Sequence, residues 1–198
     1  MDDMTIEQFC DLHGACREGR EWAMENCRSM REVWETANPL WLLWVATRPD
    51  VLSDRELRLF AVWCARQVQH LMNDPRSVAA IDVAERYANG EATDSDLDAA
   101  WSAASGAAWA AVGAGYAAWA AVWAASRFVT GHTGYAAKYA AGYAAGYAAG
   151  YAAGYAARNA AEATVGAWDA AEASQAEWLR TNCTPRFARV ADKEEVTT

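Results

Sequence analysis

The sequence predicts an all-α protein: a multi-helix N-terminal bundle followed by a long Ala/Tyr/Gly-rich helical hairpin. Three observations carry this expectation. Capping boxes recur in the first half, apolar residues recur there at three- and four-residue spacing, and alanine dominates the second half, with a Tyr at every fourth position from Tyr135 to Tyr155. No run alternates Val, Ile or Thr with polar residues, so no strand is expected.

The pairs Thr5-x-x-Gln8, Ser29-x-x-Glu32 and Ser53-x-x-Glu56 have the capping-box form and each should open a helix. After Ser53, the residues Leu57, Phe60, Ala61, Cys64, Val68 and Leu71 form one apolar stripe, which predicts a helix from about Asp54 to Asn73. Pro75 closes it and opens the next, which carries Val78, Ile81, Val83 and Ala84 up to Asn89-Gly90. Trp22, Trp41, Trp44 and Trp63 lie among apolar neighbours and are expected to form the core of this half. Thr93, with Asp94, Asp96 and Asp98 behind it, places negative charge on the first turn of another helix, where exposed N–H groups favour it.

Alanine has the highest helix propensity, so helices persist beyond that point until glycine intervenes. The expected course is a helix from 94 to about 128, a turn at 130–134 around Gly131 and Gly134, a second helix from 135 to about 181, and an irregular tail from Pro185. Divided into domains, this gives an acidic bundle over 1–92, an Ala-rich hairpin over 93–182 that packs on it or on another protomer, and a frayed tail over 183–198.

The Gly-Tyr-Ala-Ala array has a geometric consequence. Four residues advance a helix by about 400°, so each Tyr is displaced by about 40° from the last and the row winds around the axis. An unbroken helix over 135–181 would be about 70 Å long, against a radius of gyration near 16 Å for a compact chain of this length. Between Trp101 and Ala157 the only charged residues are Arg127 and Lys138. Such a surface is best buried against a copy of itself, so a homo-oligomer joined through Tyr139, Tyr143, Tyr147, Tyr151 and Tyr155 is expected. The alternative is a low-complexity tract lengthened by repeat slippage.

Charge and cysteine content narrow the function classes. The first hundred residues hold 10 of the 17 basic and 19 of the 26 acidic residues, so the net charge of −9 resides there. That balance repels a phosphate backbone, and no nucleic-acid groove is expected. Five irregularly spaced cysteines and an acidic start without a signal-peptide pattern point to reduced thiols in a cytosol. The low-charge stretch lacks the Leu, Ile and Phe of a membrane span, so no membrane partner is expected.

Motifs that carry chemistry are scarce. Cys10, His13 and Cys16 cannot converge as a four-ligand zinc site, which leaves buried or idle thiols; no metal and no cofactor is expected. Gly113-Ala-Gly115-Tyr-Ala-Ala118 has the letters of a dinucleotide fingerprint but follows a helix, where the mechanism needs a strand. Glu18, Glu21 and Glu25, like Asp82 and Glu85, read as solvated helix faces, and no nucleophile motif is present, so no catalytic residue is assigned. Arg66, His70 and Asp74 are four residues apart on one predicted face. They form either an anion- or carboxylate-binding row or a hydrogen-bond network at a helix end. Arg17, Arg48 and Arg76 join them as candidate ligands for an anion, and Trp41 and Trp44 fit a core or a binding anchor.

Three blocks carry a resemblance: Ala15-Cys16-Arg17-Glu18-Gly19-Arg20-Glu21-Trp22-Ala23, then Trp41-Leu42-Leu43-Trp44-Val45-Ala46, then Asp74-Pro75-Arg76-Ser77 with Ala80 to Ala92. In this order and spacing they resemble the Ala-rich helical immunity-protein family of bacteria and their phages, whose members continue into Ala repeats. The Gly-Tyr-Ala-Ala array is poorer in charge than those repeats. The resemblance implies neutralisation of a toxin by binding and brings no active site with it. Together these features predict a non-enzymatic binding protein that neutralises or sequesters a partner, a protein toxin meeting the acidic half. The alternatives are an accessory protein capturing a small anionic ligand, and a structural oligomer built on the Tyr array.

Overall fold

A computed structural model describes residues 3–67, 69–72, 74–110 and 160–188, with the side chains of 71, 105–110 and 160–168 left aside. Eight α-helices lie within these residues: α1 Ile6–His13, α2 Arg17–Asn26, α3 Met30–Thr36, α4 Pro39–Ala46, α5 Asp54–Gln67, α6 Pro75–Ala88, α7 Asp94–Ala110 and α8 Ala160–Asn182. A 3₁₀ turn at Gln69–Leu71 links α5 to α6, and the only extended pairing among the described residues is an isolated bridge between Asp3 and Ala188. The class is all-α.

Local caps explain most helix starts. Thr5 and Gln8 close both halves of their box: the Thr5 hydroxyl accepts from the Gln8 N–H at 3.2 Å, and Gln8 Oε1 accepts from the Thr5 N–H at 3.0 Å. Ser53 with Glu56 and Thr93 with Asp96 do the same for α5 and α7. Ser29 caps α3, but Glu32 reaches one residue further back, to the Arg28 N–H. Two starts escaped the sequence reading. Cys16 caps α2 with its sulfur, which accepts from the Gly19 N–H at 3.4 Å, and Asn38 caps α4 ahead of Pro39. Gly14, at φ 65°, ends α1 in the left-handed conformation.

The core is built where these short helices meet α8. Phe9, Trp34, Leu42, Phe60, Ile81 and Leu179 are at most 2 % exposed; each contributes about 1.5–3 kcal/mol by burial. Helix α5 packs on α6, α6 on α7, and α8 crosses both α4 and α5. Buried Ala61, Ala65, Ala80, Ala84, Ala100, Ala104 and Ala176 let the backbones come close. Trp178 of α8 stacks on Trp63 at 5.8 Å and tilts against Phe60 at 5.6 Å.

Three expectations are corrected. Trp22, Trp41, Trp44 and Trp63 are half-buried and pack on the outside of the core; among the described residues the fully enclosed indole is Trp34, whose carbonyl accepts from Arg180 of α8. Helix α5 stops at Gln67 and not at 73, because the chain tightens into the 3₁₀ turn. From the region after 92, Leu97, Ala100, Ala104, Ala176 and Leu179 belong to the same core as α1–α6.

Residues 183–188 are not frayed. Cys183 and Phe187 are buried, the Phe187 carbonyl accepts from the Met4 N–H at 2.6 Å, and the Arg186 N–H donates to the Val51 carbonyl at 2.8 Å. The predicted turn at 130–134, the helix between 135 and 159, and the self-association tyrosines Tyr139, Tyr143, Tyr147, Tyr151 and Tyr155 lie outside the described residues. Among the described helices none is long and apolar enough to cross a membrane.

Candidate functional site

A cleft of about 510 Å³ opens where α1, the turn after α4, the first turn of α5 and the returning segment 186–188 meet. The turn is dictated by its sequence. Pro49 fits the second position, the Arg48 carbonyl accepts from the Val51 N–H at 3.4 Å, and Asp50 takes a left-handed φ of 65°, as the third position of such a turn requires. Arg48 is thereby placed at the cleft wall, with Met4, Phe9, Leu12 and Leu57 supplying apolar surface and Arg186 standing opposite.

The Arg48 guanidinium is held along one edge. Its Nε donates to the Trp44 carbonyl at 3.0 Å, Nη2 reaches the Thr47 hydroxyl at 3.4 Å, and the plane lies 4.8 Å from the Trp44 ring centroid. Burial pushes its pKa below the ordinary arginine value, yet arginine stays charged at any physiological pH. Among the described residues this half-buried cation has no carboxylate partner.

Of the other half-buried arginines, Arg20 pairs with Asp11 and Glu7, Arg58 with Asp54 and Arg66 with Asp82 and Glu85, while Arg180, like Arg48 without a carboxylate, donates to both the Trp34 and Ala37 carbonyls. A charge withdrawn from water without a counter-ion is costly unless something supplies one.

His13 lines the same cleft, with its ring 4.5 Å from that of Phe9. Burial lowers its pKa, the positive charge of Arg48 lowers it further, and Asp50 opposes both. It is therefore neutral near pH 7 and gains charge only in more acidic solution. Two acidic groups also line the cleft: Asp50, and Asp54, which is engaged by Arg58 at 3.5 Å. The walls thus combine one uncompensated cation, one titratable imidazole, apolar surface and two carboxylates, an arrangement suited to a single negative charge on an apolar body.

The other sequence candidates do not converge on this cleft. Arg17 begins α2 at an exposed position. Arg66 binds Asp82 at 2.7 Å, Glu85 at 2.5 Å and Gln69 at 2.8 Å. Because α5 ends before it, His70 sits in the 3₁₀ turn and does not continue the row from Arg66. Asp74 caps α6 and grips Arg76, whose hydrogen bonds hold its carboxyl below the usual range. The row Arg66, His70, Asp74 is thus split by the turn, and its charged members are paired among neighbours.

Cys10 is buried, with its thiol pushed up by that burial, whereas Cys16 caps α2; no cluster of three or more metal-ligating side chains occurs among the described residues. Glu18, Glu21 and Glu25 are exposed on α2. His13, Asp50 and Arg186 were missed as neighbours of Arg48. Of these only the Pro49-Asp50 turn had a local sequence signal. Comparison of the chain with protein-family models, with curated proteins and with solved structures finds no match.

Proposed function

We propose that this chain is a non-enzymatic helical binding protein that captures a small carboxylate with an apolar body in the cleft at Arg48. The observation that carries this reading is the half-buried guanidinium without a carboxylate partner among the described residues. Its Nη1 and the outer edge of Nη2 can donate to a carboxylate as a pair, the bidentate geometry that favours arginine over lysine. Asp50 and Asp54 disfavour a second negative charge on the ligand, which argues for a monoanion over a phosphate. A binding role is favoured over catalysis because the Ser53 oxygen at the cleft accepts from the Glu56 N–H as a helix cap, and the Glu56 carboxylate it donates to has a pKa held below its ordinary value and so is a weak base.

Binding should strengthen as pH falls through the titration of His13, since an anion beside the ring stabilises its protonated form. The test is calorimetric titration with benzoate, hexanoate and inorganic phosphate. The reading predicts saturable binding of the two carboxylates, weaker binding of phosphate, and loss of all binding in Arg48→Gln. Equal heats from wild type and Arg48→Gln would contradict it.

Neutralisation of a protein partner is a second reading. It is favoured by the exposed Glu18, Glu21 and Glu25 on α2 and by the net negative charge of the first hundred residues, and it agrees with the resemblance to immunity proteins. The two are compatible if the cleft receives a carboxylate belonging to that partner.

A further inference from the structure

We infer that a second cavity, enclosed by α1, α2, α3 and α4, is a binding site for a small, uncharged aromatic molecule. Its volume is about 410 Å³, within the range that one- to three-ring ligands occupy. It shares Phe9 with the Arg48 cleft but none of that cleft's charged residues, and the inference does not rest on the carboxylate reading.

The walls define the ligand class. Trp22, Trp41 and Trp44 line the cavity, and the Trp22 and Trp41 rings are 5.2 Å apart at 45°. No side chain of the lining bears a charge at neutral pH: its only titratable groups are the thiols of Cys10 and Cys16, and burial raises the Cys10 pKa. An ionic ligand would lose its hydration there without compensation. Aromatic faces in tilted array favour a flat π-system, which can stack on one ring and meet the edge of another.

The pocket opens to solvent at Leu40 and Cys16, and its depth comes from the small Ala15 and Ala23 side chains standing beside three indoles. Gly19 lets two wall residues approach α2 closely: a Cβ there would come within 3.3 Å of Cys16 Sγ and 3.6 Å of Trp41 Nε1. Leu40, 58 % exposed, extends the apolar surface at its edge.

Cys16 supplies a reporter. Of the five cysteines it alone is exposed, and it lines this cavity. The test uses the neutral fluorophore N-phenyl-1-naphthylamine with the full chain. Titration should give saturable probe emission with quenching of tryptophan fluorescence, and bound probe should slow alkylation of Cys16 by N-ethylmaleimide about fivefold or more. Ala15→Phe, which fills the cavity, should weaken probe binding about tenfold or more, equivalent to about 1.4 kcal/mol.

Saturating benzoate should not displace the probe, which separates this site from the carboxylate cleft. If Ala15→Phe does not fold, protection of Cys16 in the wild type decides alone. Absence of saturable binding, or Cys16 alkylated at the same rate with probe bound, overturns the proposal. So does a folded Ala15→Phe with wild-type affinity.

Discussion

The Glu56 carboxylate accepts a hydrogen bond from the Thr184 N–H at 2.8 Å, joining residues 128 positions apart. Its other oxygen takes the Ser53 N–H at 2.8 Å and the Ser53 hydroxyl at 2.5 Å, and lies 3.6 Å from Arg186. One side chain therefore caps α5 and fastens the returning segment that forms the far wall of the Arg48 cleft. Replacing Glu56 by Ala removes both and should destabilise the fold by about 2–3 kcal/mol. Urea unfolding should show a lower midpoint with an unchanged slope.

Acid sensitivity should follow from the same residue. Burial alone would raise the Glu56 pKa, but hydrogen bonds from Ser53 and Thr184, with the charge of Arg186, outweigh it and hold the carboxyl below its ordinary value of 4.5. A depressed folded pKa contributes stability that is fully present above the unfolded value and is lost as pH falls through the folded one. Unfolding free energy should therefore decline below about pH 4.5. In Glu56→Gln that decline should be shallower; an identical pH profile in wild type and variant would refute the assignment.

Asp50 holds a left-handed φ of 65°. Glycine there relieves backbone strain and should leave the protein as stable or more stable by up to about 1 kcal/mol, whereas Asp50→Val should cost about 1–2 kcal/mol. Thermal unfolding of the two variants measures the difference. A valine variant as stable as the glycine one would contradict the turn geometry.

Trp34, and not Trp44, should be the costly tryptophan to truncate. Trp34 is 2 % exposed, so Trp34→Ala should cost about 3–5 kcal/mol. Trp44 is half-buried, and its replacement should cost less in stability while loosening Arg48, whose guanidinium rests on the Trp44 ring. Chemical denaturation of both variants ranks them.

The features legible in the sequence were those decided locally. Thr5, Ser53 and Thr93 announce their helices because a cap needs only the next three residues. Cys16 does not, because sulfur is an uncommon cap acceptor, and the end of α5 was overrun because its apolar spacing continues to Leu71. In α7 and α8, alanine on every face conceals which side is buried, so Ala104 and Ala176 could not be placed in the core.

The importance of Arg48 was partly legible. It was one candidate among the ten arginines of the first hundred residues, but so were Arg17, Arg66 and Arg76. What separates them is that Arg17 is exposed and Asp82, Glu85 and Asp74 come to Arg66 and Arg76, whereas no carboxylate among the described residues pairs with Arg48, and such pairing is fixed by tertiary packing.

The most direct measurement of the central claim is the titration of His13 by nuclear magnetic resonance, in wild type and Arg48→Gln, each with and without saturating benzoate. His13 should titrate below its ordinary 6.5 in the free protein, because of burial and the neighbouring Arg48, and higher in Arg48→Gln once that charge is gone. Benzoate should raise the wild-type value and leave the variant unmoved. A His13 that titrates at 6.5 or above in the free wild type and does not respond to benzoate would contradict the account of the cleft.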